Sequence, residues 1–247
     1  MSAAHRGRLV VASAVVAATG LAVAACGPIP PPPPGALPPT AIPSVESTLT
    51  FDGPDTADGF TPQQRTAVRL RVSDCEGWGN GTGFILDENH IITNKHVIAG
   101  ALHIEVTTYD GRDFVATGSQ VAPVADLAIV TLDTTFTDMV ELSDRLLEVG
   151  DPIQIVGYPE GQALEVENGF FVTTEIDEVG DTGEYVDVFN AHTLPGNSGS
   201  AAFDEDGKVV SIVYSSDSDQ GTGAWNVKWL KELLDDPSLW QANPAPC

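Results

Sequence analysis

Positive charge is scarce in this sequence: 11 Lys and Arg stand against 35 Asp and Glu, a formal net charge of −24 over 247 residues. Phosphate backbones would be repelled, so nucleic acid is excluded as a partner. An acidic surface of this kind favours basic substrates, and it also simply keeps a chain soluble. Cysteine is almost absent, at three residues: Cys26, Cys75 and Cys247. No cysteine pair stands at metal-ligand spacing and no H-E-x-x-H occurs, so no zinc site is legible and no cofactor is expected. The acidic runs "DSDQG" (217–221) and "FDEDGK" (203–208) lack the twelve-residue loop ending in glutamate that holds calcium. They read as solvated turns, the second as a hairpin connection. Long apolar runs are missing after the N-terminus, and no internal repeat is present.

What is present begins with a leader. "MSAAHRGR" carries two arginines and no acid, and "LVVASAVVAATGLAVAA" follows. That is the n-region and h-region of a secretory signal, residues 1–25. The run is short for a transmembrane helix and diluted by alanine, Ser13 and Thr19. It ends in "VAAC", which resembles the bacterial lipobox. The resemblance implies that Cys26 is lipidated and is the first mature residue. The chain would then be tied to the extracytoplasmic face of the cell membrane, or partly released from it. The next stretch, "GPIPPPPPGALPPTAIP", stays extended and cannot build a core. At about 3.1 Å per residue it is a stalk of a few nanometres. Residues 44–61, acidic and turn-rich, read either as more linker or as an arm wrapping the domain. The linker is thus expected over 26–61. In an exported chain Cys75 and Cys247 are expected to pair, closing a long loop worth about 4–5 kcal/mol in the chain-entropy model; two free thiols are the alternative.

The folded part is expected from Pro62 to Cys247. Short apolar runs recur there between turn signals: Val68–Val72, Gly83–Leu86, Ile91–Asn94, His103–Thr108, Phe114–Val121, Leu127–Leu132, Pro152–Val156, Glu165–Thr174, Val186–Asn190, Ala201–Phe203 and Val209–Tyr214. Strands at this spacing predict an all-β sandwich or a pair of barrels. The one clear helix signal is Asn226–Asp236. Asn226 is placed to cap it, and Val227, Leu230, Leu233 and Leu234 share a face.

The chemistry concentrates in "HTLPGNSGSAAF", 192–203. Small residues crowd around Ser198. They suit an ordinary turn, and equally a serine nucleophile that needs room for a carbonyl and backbone N–H groups aimed at one oxygen. A nucleophile needs a base, and the base an orienting acceptor. Of five histidines, His5 is in the leader, His90 and His103 sit at strand edges, His192 precedes the serine, and His96 follows a strand and a polar break. Alone, His96 reads as a surface residue.

Four stretches change that reading. "GTGFILDENHIITNKHVIAG" (81–100), "APVADLAIVTLD" (122–133), "LEVGDPIQIVGYPEG" (147–161) and "PGNSGS" (195–200) resemble, in order, four segments of trypsin-like serine proteases of the chymotrypsin fold. The HtrA-type and glutamyl-endopeptidase branches are the most similar. The resemblance implies two six-stranded antiparallel β-barrels with a C-terminal helix, one over 62–143 and the other over 144–247. It implies Ser198 as nucleophile, His96 as general base and Asp126 as its carboxylate, the chain order that fold uses. The N–H groups of Gly196 and Ser198 would form the oxyanion hole. His192 and Thr193 would floor the substrate pocket, with Val213, Tyr214, Ser215 and residues 221–225 as walls. No aspartate stands at the floor, which argues against a preference for Lys or Arg. The wall histidine that reads acidic side chains is replaced by Val213 or Tyr214. A small or aliphatic residue is therefore expected. The α/β-hydrolase elbow G-x-S-x-G fails, since Ser200 occupies the last glycine. A peptide-binding PDZ domain is not expected, nor the assembly that goes with one, so the expected protein is a monomeric serine endopeptidase acting on peptides. The alternative is a non-catalytic protease fold serving as a surface binding module or an envelope lipoprotein.

Overall fold

The computed structural model describes residues 58–177, 183–217 and 221–244. The expected signal, Cys26 and its lipid, the linker up to residue 57 and Cys247 lie outside the described residues.

The described chain opens against the body of the protein: the Phe60 ring packs edge-on to Tyr109, 5.1 Å between centroids. Thr61 then starts α1 (Pro62–Thr66) through a capping box. The Gln64 N–H donates to Thr61 Oγ1 and the Thr61 N–H to Gln64 Oε1, at 3.2 and 2.9 Å, with Pro62 pre-set for the first turn. T-P-Q-Q, at 61–64, carries the signature of this helix.

Six strands follow: β1 (Ala67–Ser73), β2 (Trp78–Ile85), β3 (His90–Thr93), β4 (His103–Thr108), β5 (Asp113–Val121) and β6 (Ala128–Leu132). One helical turn, α2 (Lys95–Ile98), separates β3 from β4. The strands pair antiparallel in the order β5-β4-β1-β2-β3-β6, and β5 closes on β6 to make a barrel. In β4, Ile104, Val106 and Thr108 are buried while His103, Glu105 and Thr107 are not, the alternation of a strand with one face in a core. Val68, Leu70, Ile85, Ile91, Val106 and Val130 fill this barrel.

The second barrel holds β7 (Pro152–Gly157), β8 (Glu165–Ile176), β9 (Tyr185–Phe189), β10 (Ala201–Phe203), β11 (Val209–Asp217) and β12 (Gly221–Asn226), closed in the order β10-β11-β12-β9-β8-β7. Ile153, Ile155, Phe171, Phe189 and Val210 fill it. Closure leaves neither sheet a long free edge. A further cluster, with Phe84, Ile92, Leu127, Tyr158, Ile212 and Trp225, joins strands of both barrels. The two six-stranded antiparallel barrels are those the resemblance implied.

Every expected strand is present, and β12 is the addition of consequence. "GTGAWN" holds two glycines, and these break the pattern that marks a strand. Both are needed: a Cβ on Gly221 would lie 2.3 Å from the Phe189 carbonyl oxygen, and one on Gly223 would lie 2.4 Å from Ser215 Oγ. Likewise β2 begins at Trp78, because the glycine-rich start pairs with Arg71–Ser73 of β1.

After β12 comes α3 (Val227–Asp235), which buries Val227, Leu230 and Leu233. The chain then crosses back, and β13 (Gln241–Ala242) pairs with β5 of the first barrel. Cys75 is disulfide-bonded.

Asn226 works twice at the start of α3. Its Oδ1 accepts from the Lys228 N–H at 3.0 Å, and its Nδ2 donates to Asp187 at 2.8 Å. Burial pushes the Asp187 carboxyl above its ordinary range, while bonds from Ser211 and Asn226 pull the other way. Replacing Asn226 with Ala removes the cap and one of those donors. The expected loss is about 1–2 kcal/mol, read in calorimetry as a Tm about 2–8 °C lower.

Candidate active site

The site begins at the end of β3. Asn94 is wholly buried and extended, and its Nδ2 donates to the Asp126 carbonyl oxygen at 2.8 Å. The chain then makes the single turn of α2, which lifts His96 to the surface. The Asp126 carboxylate meets His96 twice: Oδ1 accepts from the His96 N–H at 2.8 Å, and Oδ2 lies 2.5 Å from His96 Nδ1. A carboxylate only accepts, so Nδ1 carries a proton towards Asp126, and in the neutral imidazole the lone pair is on Nε2. Asp126 stands between β5 and β6, flanked by the buried Ala125 and Leu127. Its side chain is only 16% exposed against 48% for His96.

Ser198 comes from the second barrel. The Asn197 N–H donates to the Leu194 carbonyl at 3.0 Å. With Pro195 second and Gly196 third at φ +96°, this is a type II turn. A Cβ on Gly196 would lie 2.6 Å from the Glu160 nitrogen and 2.8 Å from the Tyr158 oxygen. The Pro195 carbonyl accepts from the Glu160 N–H at 2.5 Å. A trans peptide holds its C=O and N–H on opposite sides, so the Gly196 N–H points away from Glu160. Glu160 sits at φ +54°, the one non-glycine residue at positive φ among the described residues. Strain of this kind persists where the surroundings fix it. Beyond the serine, the Gly199 N–H donates to the Val213 carbonyl at 2.8 Å.

One residue of the first barrel gathers this loop. Thr82, fully buried on β2, donates its N–H to the Ser198 carbonyl at 2.8 Å and its Oγ1 to the Gly196 carbonyl at 2.7 Å. Thr82 Oγ1 accepts from the Tyr158 N–H at 2.9 Å, and the Thr82 carbonyl accepts from Thr93 Oγ1 at 2.7 Å. Thr93 stands three residues before His96. In the sequence Thr82 lies inside "GTGF", where nothing in the motif marks it as a partner of the serine loop. A hydroxyl between two glycines in a buried strand was the available signal.

The family model of the trypsin-like peptidase domain matches residues 81–212. The chain belongs to this family. A DegP-like probable periplasmic serine endoprotease of Chlamydia muridarum is 31% identical over 156 residues, which cover 61% of this chain and 29% of that protein. This chain therefore spans less than a third of the length of that relative. The solved structure of the HtrA-type protease AlgW with a tripeptide is similar with a TM-score of 0.65 and 28% identity, over 70% of this chain and 60% of that one. A serine endoprotease from Yersinia pestis gives 0.62 and 25%, over 72% and 64%.

In this trypsin-like domain the residues expected around the pocket separate by side. Thr193 is buried, its Oγ1 2.9 Å from Thr222 Oγ1, which donates in turn to the Ala191 carbonyl at 2.9 Å. His192, its neighbour in an extended segment, faces the other way. It is exposed, its N–H meets Glu167 Oε1 at 3.3 Å, and it lines a small cavity with Glu165, Glu167 and Leu194. The Val213 side chain is inside the barrel core, so only its backbone meets the serine loop. Tyr214 is buried beside Trp225, and its hydroxyl donates to Asp177 Oδ1 at 2.7 Å. Burial, and then that bond, raise its phenol above the ordinary range. Ser215 is half-buried opposite Gly223. Among the described residues no cluster of His, Cys, Asp and Glu could hold a metal ion.

Thr82→Val keeps the shape of the side chain and removes both Oγ1 bonds. The Tyr158 N–H and the Gly196 carbonyl then lose a partner, at about 1–3 kcal/mol each where the group is buried. Urea denaturation is expected to show a loss of about 2–6 kcal/mol with an unchanged m-value.

Proposed function

We propose that this protein is an exported, membrane-anchored serine endopeptidase. The observation that carries the reading is the two-fold grip of the Asp126 carboxylate on the His96 N–H and ring. It fixes one tautomer of a histidine whose other nitrogen is a free base. In the first step Ser198 Oγ attacks the peptide carbonyl carbon and His96 Nε2 takes the hydroxyl proton. Negative charge moves to the carbonyl oxygen, where the Gly196 and Ser198 N–H groups receive it. His96 then gives its proton to the departing amine, and the C–N bond breaks. Water, deprotonated by the same nitrogen, hydrolyses the acyl-enzyme and restores Ser198. Asp126 stays ionised throughout and stabilises the imidazolium.

The type II turn at Gly196 supports its role as an oxyanion donor, since the Pro195 carbonyl is held on the opposite side. The hydroxyls of Thr193 and Thr222 give the pocket an uncharged floor, which suits a small or aliphatic side chain. The names of the periplasmic relatives and the leader sequence support export. Lipidation at Cys26 supplies the anchor, 26–57 the stalk, and a Cys75–Cys247 bridge the tie to the C-terminal tail. The substrate is protein or peptide and the enzyme acts as a monomer.

Purified mature protein is expected to react with a fluorophosphonate probe. Ser198→Ala is expected to abolish that labelling and to lower peptide hydrolysis by about 10⁴-fold or more, with an unchanged circular dichroism spectrum. Equal labelling of the two proteins would overturn the mechanism. In cell fractionation, Cys26→Ala is expected to move the protein from the membrane to the soluble fraction. Retention would identify residues 9–25 as an uncleaved anchor.

A further inference from the structure

The helix that carries His96 is a single turn of four residues, Lys95–Ile98. A turn this short has no stability of its own, so its orientation is set by what holds it. Three of its sides are held by the body of the barrel. Asp126 grips His96. Ile98 is fully buried. Val97 lies against Gly81, where a Cβ would come within 2.6 Å of Val97 Cγ1. The exit is held differently. The Ala101 N–H reaches back to the Ile98 carbonyl at 3.0 Å, and Gly100 turns the chain at φ +72°. The Leu102 N–H donates to the Ser73 carbonyl at 2.8 Å, and further bonds at this end come from a residue 145 positions away in the chain.

That residue is Asn243. Its Nδ2 donates to the Ile98 carbonyl at 2.9 Å, and its Oδ1 accepts from the Gly100 N–H at 3.3 Å. A second proton of Nδ2 goes to Ser119 Oγ at 3.1 Å, and the Asn243 N–H lies 3.4 Å from the Ser119 carbonyl. The pairing of Gln241 with Val121 and of Ala242 with Gln120 brings the residue there in fixed register. An amide is the side chain that fits, with an acceptor and two donors on one rigid plane. The Ile98 carbonyl, already met by Ala101, has a second lone pair to fill, and the Gly100 N–H needs an acceptor.

We propose that Asn243 is a positioning residue for His96: the C-terminal segment clips the exit of the histidine turn and sets the imidazole for proton transfer. The proposal rests on the protease reading above. Asn243 touches no reacting atom, so its removal lowers the rate of the chemical steps and leaves substrate binding alone.

The test compares full-length wild type, Asn243→Ala, Asn243→Asp and Gln241→Ala on fluorescein-labelled casein, with amide hydrogen exchange on the same samples. A misplacement of 1 Å costs about 10²-fold, and a partial loosening is expected to cost less. Asn243→Ala is expected to lower kcat by about 5–20-fold, to keep KM within about twofold, and to speed exchange at Gly100 and Ala101. Asn243→Asp keeps the acceptor for Gly100 and loses the donor to Ile98, so its kcat falls in between. Gln241→Ala, on an exposed position of the same strand, matches wild type. An unchanged kcat in Asn243→Ala overturns the proposal, as does a fall equal to the unfolded fraction of the sample. Should Asn243→Ala not fold, an unchanged kcat in Asn243→Asp overturns it. Wild type inert to both casein and fluorophosphonate refutes the protease reading instead. The clip is then judged by exchange, and unaltered protection of Gly100 in either Asn243 variant that folds refutes it.

Discussion

The organisation of this molecule depends on the bonds of one threonine. Thr82 lies in a strand of the first barrel and reaches the serine loop and the Tyr158 turn of the second, while its carbonyl ties down Thr93 just ahead of the histidine turn. The apolar contacts between the barrels are non-directional and do not by themselves set how one barrel sits on the other. Hydrogen bonds in a dry seam are directional, and leaving one unmade is costly. In the proposed mechanism the serine comes from one barrel and the histidine and aspartate from the other, and it needs that directional control because catalytic groups act only within narrow limits of distance and angle.

Close packing around the serine loop follows from the same constraint. A Cβ on Gly199 would lie 2.0 Å from the Thr82 carbonyl oxygen, and one on Gly157 would lie 2.1 Å from Ser200 Oγ. These glycines admit backbone where a side chain would stand. Two of the few cations tie segments together: Arg145 meets Asp151 and Glu205, and Lys231 of α3 meets the Ser143 carbonyl and Asp144. Such surface pairs add little stability each. Their place suggests a use in holding the chain between the barrels to the second barrel and to α3.

Much of this was legible in the sequence. Alternation in His103–Thr108 and the unbroken apolar run Ala201–Phe203 mark strands because side-chain period and burial agree there. Asn226 marks the start of α3 because a side-chain acceptor ahead of an apolar stripe has one common use. The motif around His96, the aspartate in "VAD" and the serine loop were legible through resemblance. What escaped has a common cause. β12 and the start of β2 are strands built on glycine, chosen for close approach, so they carry no side-chain pattern. Thr82 and Asn243 act through partners more than a hundred positions away, and no local window holds both ends of such a bond. His192 and Thr193 are adjacent, and only the path of the backbone decides which of them turns inward.

The return of β13 to the first barrel has a consequence for how the protein comes into being. A chain leaves the ribosome from its N-terminal end. The first barrel, with His96 and Asp126 already paired, is complete by Leu132, before any residue of the serine loop has emerged. Ser198 arrives some sixty residues later, and Asn243, which meets the end of the histidine turn, follows only after α3. The serine loop and the last bonds on the histidine turn therefore trail the folding of the first barrel. Under the proposed mechanism, a nascent chain stopped short of the serine loop would hold a finished His–Asp pair with no serine to activate.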